Sequence, residues 1–349
     1  MNNCKFFHSM KTRNIILLIS AVIAMSCSNS EPEFDDYDVI AAYFPYQTPA
    51  RTLILGKYDQ GFNDNDNAHN FEITALMTGV RENGKERSIY FEVDNSLLNN
   101  VKNVKALPAE YYTMERISPV IIPSGDTKAR IKVQLHDAFF QDTLSFGAVN
   151  TTNYVIPLRM TKAENIDSLL TGVSIVDNPD RVNPEDWEVL PKDYTLFGIK
   201  YMNKYHGNYL RRGEDLITEP SNRIGRVYHE EYVEDDEVVF VETTGFNKVK
   251  LENLIGRGEQ TSPGNVVLEL TFNDDGTCTI SSFKGDQYNI TGSGKFVEEG
   301  DEWGGKPRDV IYLNYTYEDI DNTETHVVND TLVVRDRTAV FEEFEVEFK

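Results

Sequence analysis

The sequence predicts an all-β protein of two domains, a β-sandwich followed by an up-and-down antiparallel β-barrel. Three observations carry this. From about Val39 onward, apolar and polar residues alternate in short runs; Ala129, Ile131, Val133 and Leu135 interleave with Arg130, Lys132 and Gln134. Turn signals such as Asn83-Gly84 and Asp275-Gly276 separate the runs. Between the two halves, residues 161–193 break the rhythm, and VDNPDRVNPEDWEVLPKD carries three prolines and several acids.

Residues 1–26 read as a targeting signal rather than as fold. Lys5, Lys11 and Arg13 form a basic front end, and Ile15 to Met25 is an uncharged apolar core too short to span a membrane comfortably. Ala24-Met25-Ser26 then leads to Cys27. This pattern resembles a bacterial lipoprotein signal, which implies cleavage before Cys27 and lipid on its sulfur and new amino group. An ordinary secretory signal with an accidental cysteine is the alternative. The following SNSEPEFDDYD is too polar and acidic to fold alone, so 27–37 is expected to be a flexible tether. Acids just after the cysteine also resemble the surface-export signal of Bacteroides-type lipoproteins; a solvated periplasmic linker is the plainer reading.

Charge and cysteine usage exclude several function classes. Removing 1–26 takes away three cations and no acid, so the net charge of −23 becomes −26. Nucleic acid and polybasic attachment to anionic lipid are thereby excluded, since both demand a basic footprint. Cys4 leaves with the signal and Cys27 is consumed by lipid, so Cys278 is the one mature thiol and no intrachain disulfide forms. In TCTIS it reads as a buried small hydrophobe. Stability must come from cores, and about 310 residues suffice for two domains.

The first domain is expected over 38–175. VIAAYF, RTLILGKY, FEITALMTG and RSIYFEV open it, with Ile89, Phe91 and Val93 on one face of the last. Asn83-Gly84 predicts a hairpin between FEITALMTG and RSIYFEV. VIIPSG, TKARIKVQL and NYVIPLRM follow, and Pro157 suggests an edge or bulge position. A linker is expected over 176–193. The second domain, 194–349, opens on YTLFGIKYMNKYHGNYLRRG. VYHEEYV, EVVFVETT, NVVLELTF, TCTISSF, QYNITGSGKFVEE, DVIYLNYTYED, THVVNDTLVVRD and TAVFEEFEVEF complete it, with a turn expected around Gly292 and Gly294. About eight sequential strands suit a closed barrel, whose mouth or interior commonly holds a small ligand.

Catalytic motifs are missing. No stretch carries the D-x-x-D-x-D-x-E spacing of a chitinase-type active strand, although a carboxylate pair could still form in three dimensions. The six histidines show no zinc-ligand spacing, His229-Glu230 lacks the second histidine of H-E-x-x-H, and G-x-S-x-G is absent. Gly292-Ser293-Gly294-Lys295 lacks the rest of a phosphate loop. Asp64-Asn65-Asp66-Asn67 starts like a calcium loop, but His69 and Ala75 stand where glycine and the bidentate acid belong, so a solvated loop is expected. No metal and no cofactor are predicted.

Two resemblances converge on the fold. RSIYFEVDNSLL, LPAEYYTME, ISPVIIPSGDTKARIKVQL and NYVIPLRM resemble an Ig-like domain of unknown function. It is found at the N-terminus of Bacteroides-type surface lipoproteins and ahead of some endo-β-N-acetylglucosaminidases. IKYMNKYHGNYLRRG, FNDDGTCTI, GSGKF and WGGKPRDVIYLNYTY resemble the lipocalin-like barrel that often follows it. Such proteins are typically encoded in polysaccharide-utilisation loci beside a TonB-dependent transporter and its lipoprotein lid. The resemblance implies an outer-membrane, lipid-anchored, outward-facing protein that captures oligosaccharide without catalysis, of host N-glycan or mucin type by analogy. The alternatives are a structural or adhesive module of a surface lipoprotein complex and a cryptic glycoside hydrolase.

Sugars need flat aromatic platforms beside planar donors and acceptors. The candidates are Trp303 in a Gly-rich loop, Trp187 in the linker, and the cluster Tyr201, Tyr205, His206, Tyr209 with Arg211. For each, packing in the core or at a boundary is the competing reading.

Overall fold

The computed structural model describes residues 39–115, 118–147, 151–252, 267–283, 285, 288–320, 322–337 and 339–349. The signal, Cys27 and the 27–37 tether lie outside these residues. The described residues are all-β, 54% strand and 8% helix, with an N-terminal sandwich followed by a closed eight-stranded antiparallel barrel. Among the described residues no helix is long and apolar enough to cross a membrane.

The first half comprises β1 (Ala41–Tyr43), β2 (Pro49–Ile54), β3 (Asn70–Thr78), β4 (Arg87–Val93), β5 (Lys105–Ala106), β6 (Tyr112–Met114), β7 (Val120–Ile122), β8 (Lys128–Leu135), β9 (Tyr154–Glu164) and β10 (Ser168–Leu169). After β11 (Val173–Ser174), β12 (Trp187–Val189) and β13 (Tyr194–Met202), the barrel follows. Its eight strands are β14 (Gly207–Glu219), β16 (Glu237–Gly245), β17 (Lys248–Leu251), β18 (Leu268–Phe272), β19 (Thr277–Ser282), β20 (Thr291–Trp303), β21 (Lys306–Asp319) and β22 (Glu324–Asp336); β15 (Arg223–Tyr228) lies outside the ring, and β23 (Glu342–Glu343) is the last strand.

One sandwich sheet has the order β10-β1-β3-β8-β6 and the other β23-β2-β13-β9-β4-β7. Strand β8 follows its sequence pattern, with Ala129, Ile131, Val133 and Leu135 buried and the residues between them exposed. Ile89 and Phe91 also turn inward, whereas Val93 is 42% exposed at the end of β4. Asn83-Gly84 is not a hairpin turn, because β3 and β4 lie in different sheets. Asn83 is buried at the corner instead, donating to Pro123 O and Asp126 O and accepting from Arg87 Nε, 2.9 Å each. Pro157 is in a central strand rather than at an edge, flanked by β13 and β4. It is tolerated because β4 runs out there: its last paired residue, Val93, faces Leu158, and Pro157 only accepts, from Asp94 N at 2.9 Å. The 64–67 stretch is a short helix rather than a solvated loop. Buried Asp66 pairs with Arg51 at 2.5 Å and accepts from Ile54 N at 2.9 Å.

Two segments expected in the barrel belong to the sandwich. Tyr194–Met202 pairs with β9 and, in parallel, with β2. The C-terminal Glu342–Glu343 pairs with β2, where Phe344 joins the core cluster that includes Val101, Val104 and Leu196, and Lys200 holds Glu342 at 2.8 Å. Apolar burial on both faces explains the first: β13 is almost wholly buried, as an interior strand is. The expected linker also has structure, since β12 pairs with β11.

The barrel closes where β14 pairs with β22, and β15 folds back along the outer half of β14. The Asp275-Gly276 hairpin forms as predicted between β18 and β19, with Gly276 at φ +81°. Gly292 and Gly294 sit inside the long strand β20 rather than at a turn. A Cβ on Gly294 would lie 2.5 Å from Tyr312 O and 2.9 Å from Cys278 Sγ, so glycine permits close packing there. Cys278 is buried in the barrel core, and burial pushes its thiol up to about 12.

Candidate functional site

The tyrosine cluster is core. Tyr201, Tyr205 and Tyr209 are each at most 1% exposed. Tyr201 lies in the sandwich sheet, donating to Phe140 O at 3.0 Å, while Tyr205 stacks on Phe272 in the barrel at 3.7 Å. The Tyr209 hydroxyl donates to Tyr205 O at 2.7 Å. Because β13 ends at Met202 and β14 starts at Gly207, the three tyrosines share no strand face. His206 is half-buried, and its Nδ1 accepts from Thr243 N at 3.1 Å. Burial, with Arg337 and Lys200 nearby, lowers its pKa to about 4, so the ring is neutral.

Arg211 faces the barrel interior. Its Nε and Nη2 meet Asp330 at 3.0 and 2.9 Å, and its guanidinium lies 3.5 Å from the Tyr228 ring centroid. Burial opposes its charge, but Asp330 more than offsets this and holds the guanidinium above the ordinary arginine range. Gly213 permits this layer, because a Cβ there would come within 2.2 Å of Asp330 Oδ1. Beyond Arg211 and Asp330, the interior is filled by an apolar cluster that includes Tyr209, Leu313, Leu332 and Val334. Among the described residues, the barrel interior therefore holds side chains where a ligand cavity was expected.

Neither tryptophan offers a free platform. Trp187 Nε1 donates to Asp180 O at 2.8 Å, and Arg181 lies over its ring at 5.6 Å. Trp303 Nε1 donates to Val334 O at 2.9 Å, and Arg308 covers its ring at 4.5 Å. The 230 Å³ cavity beside it is rich in cations, and three of them are engaged. Lys57 meets Glu299 at 3.0 Å, Arg308 meets Asp59 at 3.4 Å, and Arg337 binds backbone carbonyls. The predicted residues thus do not form one cleft.

A different surface has the makings of a site. The outward-facing residues of four adjoining strands form two rows across the barrel wall. Lys295, Tyr312, Thr331 and Arg212 are register partners in the first row, and Ser293, Asn314, Asn329 and Glu214 in the second. Val227 and His229, on and just after β15, stand at one side, and the whole lines an open, shallow trough of about 760 Å³. Tyr312 is 38% exposed, and its hydroxyl donates to Gly300 O at 3.2 Å, which fixes the ring. Asn314 Nδ2 donates to Asn329 Oδ1, locking the two amides in one orientation. Arg212 is held by Asp236 and approaches His229 at 3.5 Å. A fixed aromatic face, two oriented amides, hydroxyls and both signs of charge are chemically suited to a polyhydroxylated ligand. Asparagine is depleted in strands, so two of them at mid-strand were the available sequence signal.

The comparisons with known proteins fit this architecture. The domain of unknown function DUF5627 matches residues 204–338, and a family described as a "-like, N-terminal domain" matches 34–167. No curated protein matches. A crystal structure from Bacteroides thetaiotaomicron, described as an auxiliary nutrient binding protein, aligns at 12% identity and a TM-score of 0.38 over 82% of this chain and 90% of that one. A crystal structure of a structural-genomics protein of unknown function from Bacteroides ovatus aligns at 37% identity and a TM-score of 0.81, covering 90% of this chain and 100% of that one. The chain belongs to the same family as this Bacteroides ovatus protein.

Proposed function

We propose that this protein is a non-catalytic, lipid-anchored lipoprotein of the outer membrane that captures oligosaccharide in the trough across β20, β21, β22 and β14. The observation that carries the reading is the paired rows of outward polar residues around Tyr312. Their volume of about 760 Å³ falls within the usual size of ligand sites, roughly 300–1,000 Å³. Anchoring rests on the apolar segment ending at Cys27, and an uptake system with a TonB-dependent transporter and its lipoprotein lid is the proposed recipient. The acids of the trough support a binding role over hydrolysis. Glycoside hydrolysis needs two carboxyl groups at the sugar. Of the two acids lining the trough, Glu214 is exposed, but the Asp330 side chain is 0% exposed and bound to Arg211 and Tyr315.

The test is retention of the mature chain on an array of N-glycans, mucin O-glycans and plant oligosaccharides, with the eluted glycans analysed for cleavage. Retention of intact oligosaccharide is expected. Cleavage without retention would replace this reading with a hydrolase. A second reading, a protein-interaction module, has one observation in its favour. Tyr46 and Phe341 are 46% and 64% exposed, with ring centroids 4.9 Å apart, over an apolar cavity. A pull-down from solubilised outer membrane favours it if partners survive excess glycan and no glycan binds.

A further inference from the structure

At the end of the barrel away from the sandwich, the β21–β22 turn sets Asp319 opposite Glu324 and Tyr317 opposite His326. One donor atom from each of Asp319, Glu324 and His326 lies within 4.8 Å of the other two. Asp319 is 0% and His326 1% exposed, so this is an interior cluster and not a solvated acidic patch.

Asp215 and Tyr317 orient the imidazole. Its Nδ1 lies 2.7 Å from Asp215 Oδ1 and 2.9 Å from the Tyr317 hydroxyl, which donates to Asp215 Oδ2 at 3.1 Å. The Tyr317 ring stacks on it at 4.3 Å and 14°. With Nδ1 committed to Asp215, Nε2 is the nitrogen that faces Glu324 Oε2, at 3.6 Å. Asn322 donates twice to Asp319, at 3.1 and 2.8 Å, and Arg223 meets Glu324 Oε1 at 2.6 Å, so both carboxylates are oriented as well.

A carboxylate on one imidazole nitrogen, with the other nitrogen turned toward further carboxylates, is how metal-binding histidines are fixed in tautomer and direction. With metal–ligand bonds of about 2.0 Å, two tetrahedral ligand atoms stand roughly 3.3 Å apart, close to the separation of His326 Nε2 and Glu324 Oε2. We propose that Asp319, Glu324 and His326 bind a first-row divalent cation of the zinc type, with Asp215 as the positioning residue. One imidazole with two carboxylates favours such a cation over calcium or magnesium, which take all-oxygen shells. The spacing in sequence hid this, because the ligands come from two strands and their support from a third.

The experiment uses the mature chain, stripped with chelator and dialysed, and titrated calorimetrically with zinc chloride. One equivalent of zinc is expected to bind and to raise the melting temperature. His326→Gln should abolish that equivalent, while Glu324→Gln and Asp215→Asn should weaken it about 10–100-fold. X-ray absorption of the zinc-loaded wild type gives a readout that does not depend on variants folding; a mixed nitrogen and oxygen shell with one imidazole is expected. No retained zinc, undiminished binding by His326→Gln and Glu324→Gln, or an all-oxygen shell would each overturn the proposal. The cluster would then be a hydrogen-bonded histidine between Asp215 and Glu324.

Discussion

Arg211 and Asp330 meet inside the barrel through two parallel hydrogen bonds, Nε to Oδ1 at 3.0 Å and Nη2 to Oδ2 at 2.9 Å, with both side chains 0% exposed. Removing one partner leaves an uncompensated buried charge. Arg211→Met or Asp330→Asn should therefore cost about 3–5 kcal/mol, measured by urea unfolding. Replacing the group together, as Arg211→Met, Asp330→Leu and Tyr315→Phe, should recover most of that loss. Equal loss in the single and combined variants would mean that packing, not charge, dominates the layer.

Arg337 makes a different kind of joint. Its guanidinium donates to Leu55 O and Lys57 O of the sandwich at 2.7 and 2.6 Å, and to Asn203 O and His206 O of the connection at 2.5 and 2.9 Å. A lysine cannot reach this fan of acceptors. Hydrogen bonds to a charged group contribute about 1.5–3 kcal/mol each, so Arg337→Lys should destabilise by roughly 3 kcal/mol. Calorimetry should then show the unfolding of barrel and sandwich separating into two transitions.

His206 sets an acid limb. Its folded-state pKa of about 4 lies below the ordinary 6.5, so the unfolded chain binds the extra proton between these values. The stabilising contribution is complete above pH 6.5 and is lost as pH falls toward 4, with a slope approaching about 1.4 kcal/mol per pH unit. His206→Asn keeps an acceptor for Thr243 N and cannot titrate. Urea midpoints at pH 7 and pH 5 should move less in this variant than in the wild type.

The fold was largely legible and the site was not, for one physical reason. Alternation reports which residues of a strand share a face, and it placed β8 correctly, as the turn dipeptide placed the Asp275-Gly276 hairpin. It does not report which strands are neighbours. Tyr194–Met202 reads as a barrel strand until β2 and β9 are seen on either side of it. Likewise, Tyr201, Tyr205 and Tyr209 look like a platform in one dimension and pack into two separate cores in three. The trough needs Tyr312, Asn314, Asn329 and Arg212 brought together by barrel closure between β14 and β22, a pairing that no local pattern encodes.

The proposed oligosaccharide site is the outer face of the barrel around Tyr312. Its most direct measurement is isothermal titration of a retained oligosaccharide into four proteins: wild type, Tyr312→Ala, Asn314→Ala with Asn329→Ala, and Trp303→Phe. Each trough variant should lose at least about tenfold in affinity, some 1.4 kcal/mol, and Trp303→Phe should keep its affinity unchanged. Unchanged binding by both trough variants, with binding lost in Trp303→Phe, would contradict it and move the site to the cavity beside Arg308.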